Sequence, residues 1–188
     1  WAIPNVPLSM EPGKTNLDRG NANFDQRHRL VLAWFWRSNP SGGASNLAQH
    51  FLKGWEHSGT FVAASALPAT PLVLVNGQQF SGINLLYTTS LNGSGGWARF
   101  PLQGPNTLRG EAGYTANVRL ARTIRVTDKA SAKLIFEVYN LLNSRFATGI
   151  NTVAYTAAGS VLRPVAGLGA ANSAAPARSA QAALRIDF

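Results

Sequence analysis

The sequence predicts an all-β fold: an antiparallel up-and-down meander of long strands, forming the C-terminal portion of a transmembrane β-barrel. Three observations predict it. The 188-residue chain ends in QAALRIDF, an alternating segment that stops on the aromatic Phe188. Five segments alternate apolar and polar side chains over about nine to fifteen residues each. About 9–11 residues cross a bilayer at a tilt, whereas the mean soluble strand has about 5–6. Finally, Gly, Pro, Asn, Ser and Thr punctuate the whole chain, and apolar stripes of helical period are scarce.

Composition fits this class. Hydrophobic residues make up 45% of the chain, yet mean hydropathy is only −0.04. No run approaches the 18 or so apolar residues of a spanning helix, but a barrel strand carries only half that signal. The absence of Cys excludes disulfides and thiolate metal sites. Lys and Arg number 17 against 8 Asp and Glu, and arginine far outnumbers lysine. The cations fall at alternate strand positions, which suits a polar wall better than a DNA-reading helix. The first residue is Trp1, without initiator Met or signal peptide, so the expectation is a fragment or a processed product.

The first predicted strand spans about 26–37. Leu30, Leu32, Trp34 and Trp36 share one face, with Arg27, Arg29 and Arg37 on the other. The second spans about 53–67. Trp55, Phe61 and Ala63 oppose Glu56, Ser58 and Thr60, and His57 breaks the apolar face. The third, 112–126, sets Tyr114, Ala116, Val118, Leu120, Ile124 and Val126 against Thr115, Asn117, Arg119, Thr123 and Arg125. Arg122 violates the pattern, which predicts a position at a membrane boundary, close to the following turn. The fourth, 131–140, opposes Leu134, Phe136 and Val138 to Lys133, Glu137 and Tyr139, with Ile135 on the polar side. In the fifth, 179–188, Ala182, Leu184, Ile186 and Phe188 face away from Gln181, Ala183, Arg185 and Asp187.

The connections alternate in length. A tight turn at 127–129 joins strands three and four. Long segments, about 68–111 and 141–177, follow strands two and four and read as external loops. Barrels pair short periplasmic turns with long outer loops. Placing Phe188 on the periplasmic side puts the tight turn there too, although the 38–52 connection is longer than this pattern prefers. Leu72-Val73-Leu74-Val75 before Asn76-Gly77 suggests a short hairpin inside the first long loop.

Candidate sites follow from the alternation. Trp34, Trp36, Trp55, Tyr114 and Phe188 near strand ends suit an aromatic girdle at the hydrocarbon boundary; the competing reading is the core of a soluble sandwich. Arg119, Arg125, Lys133, Glu137 and Arg185 would face a polar lumen. They either favour anionic solutes or pair across strands, and pairing is the preferred reading. Metal and cofactor sites are not expected. His50 and His57 stand seven apart without ligand spacing, and His28 lies between Arg27 and Arg29 at the outer end of the first strand. GSGGW at 93–97 and SGG at 41–43 read as flexible loops, not phosphate cradles. No G-x-S-x-G is present, and no enzyme activity is expected.

Several segments carry a family resemblance. FDQRHRLVLAWFW (24–36), LKGWEHSGTF (52–61), NTLRG (106–110), FEVYNLLNSRF (136–146) and the terminal LRIDF resemble, in order, the last strands of TonB-dependent receptor-like barrels. The branch they resemble is the Oar-like group with carboxypeptidase-regulatory-like N-terminal domains. GQQFSG at 77–82 is similar to a further motif, and His57 departs from an apolar position. The resemblance implies an outer-membrane protein of a Gram-negative-type envelope. It implies Phe188, Ile186 and Leu184 as the C-terminal signal read by the barrel-assembly machinery. It also implies membrane lipid, an unknown solute, and an energy-coupling protein engaged through N-terminal regions as partners, and no nucleic acid. The expected function is solute uptake from outside the cell. A structural, adhesion or export barrel is the first alternative. A soluble basic β-domain binding nucleic acid or anionic polysaccharide is the second.

Overall fold

Alternating sequence becomes strand in the computed structural model, which describes residues 15–39, 47, 51–76, 95–100, 103–158 and 161–188. His50 and the segments 41–43 and 77–82 lie outside the described residues. A 3₁₀ turn, Thr15–Asp18, precedes the strands. In chain order these are β1 Arg29–Arg37, β2 Trp55–Ala64, β3 Pro68–Ala69, β4 Leu72–Asn76, β5 Gly95–Arg99, β6 Leu108–Arg109 and β7 Gly113–Arg125. They continue with β8 Ser131–Tyr139, β9 Ala147–Ile150, β10 Val153–Ala158, β11 Val161–Pro164, β12 Ala171–Ala174 and β13 Ser179–Asp187.

The chain forms two units. One contains the long strands: His28–Ala64, Ala112–Phe146 and Ala175–Phe188. Its sheet runs β1-β2-β7-β8-β13, a meander in sequence order with every pair antiparallel. The register keeps parity throughout. Leu32 stands opposite Phe61, Phe61 opposite Ala116, Leu120 opposite Phe136, and Phe136 opposite Ala182. Directly opposed residues share a face, so the apolar sets of all five strands lie on one side.

The register also fixes the ends. Arg29, Ala64 and Gly113 are aligned at one end of the sheet; Arg125, Ser131 and Asp187 are aligned at the other. The short β7–β8 turn closes at the second end, where Val126 N–H and Thr127 N–H both donate to Ala130 O. Both long connections leave from the first end.

Those connections, expected as loops over 68–111 and 141–177, carry short strands of their own among the described residues. With Trp1–Arg27 they supply the second unit. It carries a four-stranded sheet, β11-β10-β4-β5, and two small pairs, β3–β6 and β9–β12. The β4–β10 pair is parallel, the one exception to antiparallel pairing among the described residues. The Leu72–Asn76 strand forms as expected, while Gly77 of the expected turn lies outside the described residues. Its antiparallel partner is β5, with Asn76 opposite Gly95. Thus part of GSGGW, read as flexible, is strand. The physical reason is burial: Val73, Ala98, Phe100 and Ala157 form a small core, with the Phe100 and Tyr155 rings stacked at 4.9 Å. Apolar burial of this kind holds strands too short to announce themselves by alternation.

Candidate functional site: the two faces of the long-strand sheet

Exposure on this sheet is inverted. On the apolar face Leu184 is 60% and Phe136 50% exposed. On the polar face the Glu56 and Lys133 side chains are only 18% and 24% exposed. A water-facing sheet buries its apolar side; this one leaves it open, and on its polar face Glu56, Glu137 and Lys133 are largely covered while Arg37 and Arg185 stay exposed.

The polar face is a cross-strand ion network. Glu56 on β2 accepts from Arg37 Nη2 on β1 at 2.7 Å and from Lys133 Nζ on β8 at 2.6 Å. β7 lies between β2 and β8, so Lys133 reaches over a whole strand. The residue opposite Glu56 there is Ala121, small and buried, which leaves that path clear. Glu137 stands opposite both Arg119 and Gln181. It lies 3.4 Å from Arg119 Nε, and accepts from Gln181 Nε2 and, at 3.3 Å, from Tyr139 Oη. Asn117 Nδ2 donates to Thr60 Oγ1 at 3.4 Å. Thr60, Asn117, Arg119, Glu137 and Tyr139 line a shallow concavity of about 330 Å³. Arg185 pairs with Asp187 at 2.8 Å, and Arg125 sits beside them at the short-turn end. The expected polar residues therefore share one face, and most of its cations are matched by carboxylates. Arg37, Glu56, Tyr139 and Gln181 belong to this network without having been singled out in the sequence. Their alternate placement was the available signal. Val31 and Phe35 also lie on this face, and the Arg37 guanidinium stands 5.8 Å from the Phe35 ring.

On the apolar face, Trp36 and Trp55 stand near the short-turn end and Tyr114 at the opposite end. Trp34 does not sit at a strand end. It stands mid-strand opposite Gly59, where a Cβ would lie 2.2 Å from its ring. The indole takes the place of the missing side chain, and its Nε1 donates to His57 Nδ1 at 3.2 Å. That bond gives His57 a partner on a largely apolar face. Arg122 stands opposite Trp55, its guanidinium 5.2 Å from the indole centroid. Ile186 and Leu184 share this face with Phe188 one step beyond the last pair.

The motif residues also acquire jobs. Asn140 and Asn143 both have φ of 50°, a left-handed conformation that Asn tolerates better than most residues. Buried Asn140 donates to Ser144 O at 3.0 Å and Pro176 O at 2.8 Å, and accepts from Ser144 N–H at 2.9 Å. This knot ends β8 and ties it to the segment leading into β13. Phe146 lies against Gly113, leaving no room for a Cβ there.

In the short-strand unit, Arg109 of NTLRG donates to Asp25 of FDQRHR at 2.6 Å, and Arg27 stands 3.6 Å from the same oxygen. The hydrogen bond from Arg109 holds the Asp25 carboxyl below its ordinary pKa. Buried Asn106, with φ of 58°, donates to Asn21 O and Asn23 Oδ1, both at 2.6 Å. Two motifs more than 80 residues apart are thus clasped.

In comparison with known proteins, the family model of an outer membrane beta barrel domain matches residues 4–181. No curated protein and no solved structure matches the chain.

Proposed function

This chain belongs to the outer membrane beta barrel domain family, and from that premise we propose that its long-strand sheet is the wall of a TonB-dependent receptor that takes up a solute from outside the cell. One observation carries the wall assignment: the large apolar side chains of the sheet are open, while on the other face Glu56, Glu137 and Lys133 are largely covered within cross-strand ion pairs. Hydrocarbon accepts such a face, and closure of the sheet satisfies its edges. The aromatic residues Trp36, Trp55 and Tyr114 mark the two membrane boundaries in this reading, and the Glu56 and Glu137 networks face the lumen. The Leu184, Ile186 and Phe188 face offers the assembly machinery its C-terminal signal.

Uptake is supported by the ordered motifs, which resemble that receptor group. A barrel without transport, serving structure, adhesion or export, is favoured by a different observation. Glu56 and Glu137 offset Arg37, Lys133 and Arg119, which suits a stiff wall more than an anion-attracting passage. Crosslinking in cells, using the complete gene product, separates the two. Transport predicts a crosslink to the inner-membrane energy-coupling protein that fails when the proton motive force is dissipated. A fully assembled barrel that never crosslinks would leave the structural reading.

A further inference from the structure

The apolar face is not uniform. Trp55, Arg122, Leu134 and Leu184 form one cross-strand row, and Leu120, Phe136 and Ala182 form the next. Between them runs a groove of about 580 Å³ lined by these residues. Ala182 gives the groove its depth, since it stands opposite the large Phe136. Among the paired residues of this face, Arg122 is the one with a permanent charge. Its guanidinium is held against Trp55, whose Nε1 is itself fixed by donating to Phe51 O at 2.8 Å.

We propose that this groove binds an anionic glycerophospholipid, with one acyl chain along the groove and the headgroup phosphate at Arg122. The inference rests on the reading that this face meets lipid. Charge complementarity selects the occupant. An apolar channel ending in a guanidinium needs a ligand that is apolar along its length and anionic at one end, and Arg binds phosphate in a forked geometry. A second copy of the chain would bring another Arg122 and no carboxylate from this face. Arg122 lies at the short-turn end of the sheet, three residues before β7 ends. Short turns mark the periplasmic side of outer-membrane barrels, which favours a phospholipid over the outer leaflet's lipid A.

The test uses the full chain folded in detergent micelles, with bound lipid counted by native mass spectrometry. Phosphatidylglycerol, phosphatidylcholine and lipid A are offered in turn. Phosphatidylglycerol is expected to be retained about tenfold over phosphatidylcholine. Arg122→Gln should remove that preference, and Arg122→Lys should keep part of it. Ala182→Leu, which fills the groove and keeps the charge, should lower retention of both lipids. Equal retention of the two by the unmodified chain overturns the proposal whether or not Arg122→Gln folds. So does preferential retention of lipid A. A second measurement separates this failure from failure of the lipid-facing reading: tryptophan quenching by vesicles of brominated phosphatidylcholine. Quenching without headgroup preference removes the groove site alone, whereas no quenching removes both.

Discussion

Gly59 has no space for a side chain. A Cβ there would stand 2.2 Å from Trp34 Cζ2 and 2.7 Å from Asn117 O. Gly59→Val should destabilise the sheet by about 1–3 kcal/mol, the usual range for overpacking. Urea unfolding of vesicle-inserted protein, followed by tryptophan emission, would read it. Adding Trp34→Ala should restore part of the loss, because only the carbonyl clash remains; no recovery would mean the indole does not occupy that slot. Asn140 makes the same kind of local demand. Asn140→Ala removes its three side-chain hydrogen bonds and leaves a strained φ, so a loss of about 3 kcal/mol is expected. Asn140→Gly should recover only the backbone share. Asp25 gives a pH dependence. Its folded pKa is lowered by the bond from Arg109, so its contribution is present above the unfolded value, about 3.9, and lost as pH falls through the folded one. Amide exchange near Arg109 should rise at acid pH, and Asp25→Asn should flatten that response.

Between elements, parity and pairing decide. Leu184 and Ala183 are neighbours on β13 with opposite faces. If the apolar face meets hydrocarbon, Leu184→Asp should cost up to about 2–4 kcal/mol, an upper bound set by basic residues at the midplane. Ala183→Asp should be far milder. Equal costs, measured by folding yield into vesicles, would sink the wall assignment. This two-faced logic was legible in the sequence because side-chain period is two and because β7, β8 and β13 are long enough to show it. The two polar residues that broke the apolar face, His57 and Arg122, each proved to lie against a tryptophan. The short-strand unit was not legible. Its strands run two to six residues, and β4 finds its parallel partner β10 about 80 residues away. Short segments paired at that distance leave no alternation to count, so their Gly, Ala and Ser content read as loop. Nor could the sequence show that Lys133 reaches past β7 to Glu56. That contact depends on the small Ala121 standing between them on β7.

At the scale of the whole molecule, the long-strand sheet has two outer strands, β1 and β13, each with a single partner. All nine residues of each are exposed. An unpaired edge is a template for further strands, and this sheet adds an open face carrying Leu30, Leu32, Trp36, Leu134, Phe136, Leu184 and Ile186. Patches of that kind drive association in water. Net charge of +9 opposes it, but charge repulsion between exposed groups is screened within about 8–10 Å at ordinary salt. Hydrophobic association is not screened, so it should dominate as salt rises. The chain is therefore expected to sediment as large assemblies in plain buffer, increasingly so between low and physiological salt, and to disperse in detergent above its critical micelle concentration. A monodisperse monomer in detergent-free buffer at both salt concentrations would require a second layer over the apolar face, and would remove the membrane-wall reading at its root.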